Sequence, residues 1–317
     1  MRGPSPSPNG DTMLLKNICL TVVAVILVGS LMMPVISDAA EDSVVDVIIV
    51  DGQSNAEDWG SFSTTINSLY TEAPSRTIYY YGTPTATTHY NDASGTTYGL
   101  QPMYRSNSWV IGGYGPALCT EYAEKNHHDI CYINIGYSGQ SITTLMPNGS
   151  VGTWGFKIVG DALQALEPKY DKINMIGWIW AQGEADSSMA VDTYISDFEV
   201  VQAKFAEFGA NHCYIIHTRE YYGGNATEAQ AQIAESDKNV TMTCLFTEDF
   251  TSADGEVFSD GPIHYTQKGR IIIAEELAKV IPTNAGGAEF SLYLVIPAVM
   301  IVAIIIAAAS TFIRRND

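Results

Sequence analysis

The sequence predicts an α/β domain, a three-layer α/β/α sandwich around a mainly parallel five-stranded sheet. Three observations lead there. Apolar runs recur along the chain without the apolar–polar alternation of a half-exposed strand, as expected of strands buried on both faces. Helix-periodic stretches separate these runs at the spacing of β-α-β units. The sharpest polar clusters, each with glycine, fall after strand runs, where open parallel sheets place their ligands.

The first run, Val44–Val50, is four valines and two isoleucines broken only by Asp46. Asp51-Gly52 ends it, and Gly52 permits a sharp turn just ahead of Ser54. Further strands are predicted over Ile130–Ile135, Ile173–Trp180, Cys213–His217 and Val240–Phe246. The intervening helices are predicted over Gly115–Lys125, with Pro116 in its first turn, and over Phe156–Glu167, with Phe156, Val159, Leu163 and Leu166 on one face. Others are expected over Tyr194–Phe208, Thr227–Glu235 and Thr266–Val280, with a short one after Ala56. Arg76–Tyr104 is rich in Thr, Tyr and Gly without helical period, and reads as irregular or hairpin structure inserted over the sheet end. Its tyrosines suit either internal packing or stacking on sugar rings. No internal repeat or linker divides residues 41–283, which are read as a single domain.

Both ends are apolar. Ile18–Ile36 carries no charge, follows Arg2 and Lys16, and precedes Ser37-Asp38-Ala39, so residues 1–40 are read as a signal peptide or an N-terminal anchor. Phe290–Ile313 is uncharged and long enough to span a bilayer, and Arg314-Arg315 closes it. Residues 284–289 then form a tether, 290–313 a transmembrane helix and 314–317 a cytoplasmic tail, placing the folded domain outside the cytoplasm at the membrane.

The formal net charge is −19, and all but three of the 35 acidic residues lie between Glu41 and Glu289. Such a field repels nucleic acid, which is excluded as a partner. Cys119, Cys131, Cys213 and Cys244 lie outside the leader and are read either as disulfide partners or as buried free thiols. No C-x-x-C spacing suggests zinc, and the sequence calls for no metal or organic cofactor. Asn148, Asn225 and Asn239 open glycosylation triplets.

A lone serine hydroxyl is a poor nucleophile and needs a base, a group to orient that base and donors for the oxyanion. The loops that end on the same sheet edge contain such groups. They are Gly136-Tyr137-Ser138-Gly139-Gln140-Ser141, then Gln182-Gly183-Glu184-Ala185-Asp186, then Asp260-Gly261-Pro262-Ile263-His264. Together with Gly52-Gln53-Ser54-Asn55, these blocks resemble the SGNH (GDSL-like) hydrolases, and within them the sialate O-acetylesterase and carbohydrate acetylesterase branch. The resemblance spans roughly Val44 to Leu277 and implies a flavodoxin-like sheet. It implies Ser54 as nucleophile, His264 as general base and Asp260 as the partner of that imidazole. It further implies an oxyanion hole from the N–H groups of Ser54 and Gly139 and the Gln182 amide, with Gln53, Asn55, Glu184 and Asp186 in support. The expected activity is hydrolysis of acetyl esters on an O-acetylated glycan through an acyl-serine, with the rate rising through roughly pH 6–7 as His264 loses its proton. Two positions depart from the family: Asp260 lies four residues before His264, where three is usual, and Ala117 replaces the acidic residue after Gly-Pro. Glu184, or a Ser–His pair without an acid, is the alternative to Asp260. A glycan-binding protein without catalysis and a lipid-directed esterase are the alternative functions.

Overall fold

The computed structural model describes residues 43–57, 76–82, 99–105, 108–109 and 113–283. The two terminal apolar segments, the tether and most of the short helix expected after Ala56 lie outside the described residues. Among the described residues no helix is long and apolar enough to cross a membrane.

The chain builds strand β1 (Val44–Gly52), β2 (Ile78–Gly82), β3 (Gly99–Pro102), helix α1 (Gly115–Asn126), β4 (Asp129–Asn134), α2 (Ile142–Leu145), α3 (Gly152–Leu166) and β5 (Lys172–Ala181). There follow α4 (Val191–Glu207), β6 (Cys213–Ile216), α5 (Glu220–Ser236), β7 (Val240–Thr243) and α6 (Gln267–Val280). The strands form a seven-stranded sheet in the order β3-β2-β4-β1-β5-β6-β7. All neighbours are parallel except β2 and β3. The five expected strands stand as β4-β1-β5-β6-β7, so the order reverses beside β1 and opens a crevice at its carboxyl end.

The sheet is wider than expected. Ile78–Tyr81 pairs in parallel with Ile130–Ile133, and Tyr79–Gly82 pairs antiparallel with Gly99–Pro102. The segment read as irregular or hairpin therefore extends the sheet by two strands. Its tyrosine-rich run has β propensity, but only the free edge of β4 makes that propensity count. Other boundaries moved as well: α3 begins at Gly152 and α4 at Val191, each ahead of its expected start. β7 stops at Thr243 because Cys244 takes a left-handed conformation, and α5 starts at Glu220 but is broken at Gly224.

Side chains of β1 alternate between two apolar layers. Ile48 and Val50 pack with Leu118 and Tyr122 of α1 and Ile273 and Leu277 of α6. Val47 and Ile49 pack with residues of α3, α4 and α5. On this second face Trp178 stacks on Phe205 and Phe198, with ring centroids 4.3 Å and 5.5 Å away. The polar break in β1 is satisfied at the other end of the sheet: fully buried Asp46 accepts from Asn126 and from Asn174 Nδ2 at 2.7 Å, with His128 Nδ1 3.1 Å away. Cys119, Cys131, Cys213 and Cys244 are buried free thiols, so of the two readings of the cysteines the reduced one holds.

Trp178 is fully buried within the aromatic cluster, so Trp178→Ala should lower unfolding free energy by about 3–5 kcal/mol in a denaturant titration. A loss below about 1 kcal/mol would show that this layer is not packed as described.

Candidate active site

The site begins where β1 stops. Gly52 has φ +135°, and a Cβ placed on it would stand 2.2 Å from Ala181 O, so only glycine lets β1 lie this close to the end of β5. Gln53 N then donates to Ala181 O at 3.0 Å, and Glu57 N to Gln53 O at 2.8 Å, closing one tight turn around Ser54. Ser54 is buried, and its Oγ lies 3.0 Å from His264 Nε2 although 210 residues separate them in the chain. That distance is within hydrogen-bonding reach of a nucleophile and its base.

The neighbours of Ser54 in this turn hold the surrounding loops. Gln53 Oε1 accepts from Ala185 N at 3.0 Å in the loop after β5. Asn55 Nδ2 donates to Glu184 Oε1 at 2.8 Å and to Ile263 O at 3.1 Å, and Asn55 Oδ1 accepts from Tyr265 N at 3.3 Å. Glu57 Oε2 accepts from Ser138 N at 2.7 Å in the loop after β4. Asp186 reaches back to the same region, where it accepts from Ile142 N at 2.7 Å.

Gly139 follows Ser138 with φ +72°, and no atom stands within 4 Å of a Cβ built there. Neither its N–H nor that of Ser54 donates to another described residue, so both remain able to serve an oxyanion. Gln182 is placed differently from expectation. It is fully buried, and its Nε2 donates to Asp186 and lies 3.3 Å from Gln140 O and 3.4 Å from Gln53 Oε1. Tyr194 OH donates to its Oε1 at 2.8 Å. The Gln182 amide is thus spent on protein acceptors, bridging the loops after β4 and β5.

His264 sits in a turn closed by His264 N donating to Gly261 O at 2.9 Å, directly ahead of α6, whose Thr266 N-cap accepts from Gly269 N. Burial, reinforced by the positive charge of Arg270, lowers the pKa of the imidazole below its ordinary value and favours the neutral form a base requires. Asp260, expected as its partner, is exposed, and no hydrogen bond or ion pair joins it to His264. The Gly261–His264 turn leaves Asp260 outside the cluster that the ring faces.

Several of these groups were not singled out from sequence. Glu57 is buried and its pKa is pushed up to about 7, by burial against the opposing Ser138 N–H bond and the Arg270 charge. Glu184 and Asp186, which the sequence did single out as supporting residues, are also raised, first by burial, with the bonds they accept opposing it. Arg270 is fully buried, donates to Asn55 O and lies over the Tyr114 ring at 5.2 Å. A signal for it existed: Arg270 stands three, four and seven residues before Ile273, Ala274 and Leu277 on the apolar stripe of α6. Tyr194, Thr218 and Gln230 brace Gln182, and nothing in their local pattern pointed to the site. Among the described residues no group of three His, Cys, Asp or Glu side chains could hold a metal ion.

No family model matches the chain, and no curated protein matches it in sequence. Solved structures do resemble it. One is a protein from Arabidopsis thaliana, with TM-score 0.52 and 13% identity over 74% of this chain and 97% of that one. Another is NanS, with TM-score 0.51 and 13% identity over 76% of this chain and 97% of that one. A carbohydrate acetylesterase from Xanthomonas citri matches at TM-score 0.48 and 15% identity, over 74% of this chain and 56% of that one. What the first two share with this chain is the fold.

Burial also raises the pKa of Asp51 to about 8, against the bond it accepts from Gly52 N. A carboxyl whose pKa is raised on folding contributes stability that is full below its unfolded value and is lost as pH rises through the folded one. Asp51→Asn keeps the acceptor and removes the ionisation. The variant should therefore gain on the wild type between pH 5 and pH 8, by up to about 1.4 kcal/mol per pH unit in unfolding titrations. A difference that does not change with pH would refute the buried neutral acid.

Proposed function

We propose that this protein is a serine ester hydrolase that removes acetyl groups from O-acetylated carbohydrates. The observation that carries the reading is the 3.0 Å approach of Ser54 Oγ to the His264 imidazole in a buried turn at the sheet's crevice. Neutral His264 takes the Ser54 proton as Oγ attacks the ester carbonyl, and the oxyanion is met by the N–H groups of Ser54 and Gly139. The imidazolium returns the proton to the leaving sugar oxygen, leaving acetyl-Ser54. Water, deprotonated by the same imidazole, then releases acetate and restores the serine. The arrangement needs no metal for either half-reaction.

The carbohydrate and acetyl parts of the proposal rest on the sequence blocks around Gly52–Asn55, Gln182–Asp186 and His264, which resemble carbohydrate acetylesterases. Attachment to a membrane, with the domain outside the cytoplasm, is proposed from the apolar Phe290–Ile313 segment and its closing arginines.

The test is hydrolysis of 4-nitrophenyl acetate and release of acetate from a panel of O-acetylated sugars by the full-length chain. Ser54→Ala should lose at least roughly 10³-fold in kcat, and equal turnover by both proteins would end the hydrolase reading. Because burial and Arg270 lower the pKa of His264, kcat/KM of the wild type should rise with pH about a midpoint below ~6.5. A midpoint above that value would mean that a carboxylate partner, not burial, dominates the imidazole.

A further inference from the structure

We propose that Asn55 is the positioning residue of the Ser54–His264 pair, clasping the backbone on both sides of His264 and thereby setting the distance between base and nucleophile. The inference rests on the hydrolase reading and adds the device that makes it geometrically possible. Asn55 is 2% exposed and adjoins Ser54, yet its side chain spends itself on the loop that carries His264. Nδ2 donates to the carbonyl just before His264, Ile263 O at 3.1 Å, and Oδ1 accepts from the N–H just after it, Tyr265 N at 3.3 Å. A planar amide that donates to one peptide and accepts from the next fixes the intervening residue in both position and direction.

The orientation of the clasp is itself determined. Glu184 Oε1 takes the second Nδ2 hydrogen at 2.8 Å. Rotating the amide by half a turn would set Asn55 Oδ1 against the Ile263 carbonyl and the Glu184 carboxyl, and Nδ2 against the Tyr265 N–H, so three contacts would turn repulsive at once. Arg270 holds the Asn55 carbonyl from the core side. The anchor for His264 is thereby built from the same five-residue turn that presents Ser54, and the two reacting atoms share one reference frame. Asp260 offers no such hold, since it is exposed and not bonded to His264. A shift of about 1 Å in a reacting group costs on the order of 100-fold in rate, which sets the size of the effect.

The experiment uses the full-length protein with 4-nitrophenyl acetate, and with phenylmethylsulfonyl fluoride as a probe of Ser54 activation. Asn55→Ala should lose roughly 100-fold in kcat with KM within about threefold, and should slow sulfonylation in parallel. The wild-type rate should level off once His264 is neutral, whereas the residual Asn55→Ala rate should keep rising with hydroxide, because the displaced imidazole no longer takes the proton. Glu184→Gln keeps an acceptor for Asn55 Nδ2 and should stay within about threefold of the wild type, while Glu184→Ala should lose about tenfold or more. Asp260→Asn should cost less than Asn55→Ala. Full kcat in Asn55→Ala would overturn the proposal, as would a larger loss in Asp260→Asn. If Asn55→Ala fails to fold, by circular dichroism, the Glu184 pair decides, and equal rates for Gln and Ala would overturn it. An inactive wild type, or a Ser54→Ala variant as active as it, would instead sink the hydrolase reading.

Discussion

The structure depends on one tight turn. Between the end of β1 and Glu57, the chain places Ser54 at the crevice and uses the residues around it to hold every other loop of the site. Gln53 holds the loop after β5, Asn55 the loop before α6, and Glu57 the loop after β4. The turn exists because Gly52 can approach Ala181 O as no other residue could. On the proposed reading the nucleophile needs no separate scaffold, because the side chain that grips the His264 loop belongs to its own neighbour in sequence.

Burial is the second constraint, and it acts through electrostatics. Asp51, Glu57, Glu184 and Asp186 are all withdrawn from water far enough to raise their pKa values. One cation, Arg270, lies close enough to lower those of Glu57 and Glu184 and that of His264 as well. Burial, reinforced by the same guanidinium that offsets the buried carboxylates, therefore favours the neutral imidazole.

The likeness to the Arabidopsis protein and to NanS is a likeness of architecture at 13% identity. It accords with the sheet order beside β1, which places the crevice at that strand's carboxyl end. The local geometry is this chain's own: three residues separate Asp260 from His264, and Asn55 grips the His264 loop from across the crevice.

The sequence by itself determined the five central strands, the helices between them and the meeting of Ser54 with His264. Each of these follows from patterns that survive without neighbours: unbroken apolar runs, helical periodicity, and polar clusters at strand ends that parallel topology gathers on one edge. Only the tertiary structure decided the rest. Strands β2 and β3 were legible only as irregular or hairpin structure, because a short tyrosine-rich run joins a sheet only when a free edge receives it. The contacts of Asn55, Gln182 and Asp260 were decided by which partner each side chain could reach once the loops had closed. Gln182 was drawn inward to Asp186 and Tyr194, and Asp260 was left outside by a single turn. Hydrogen bonds are set to within tenths of an ångström by packing around them, and spacing along a chain carries no information at that scale.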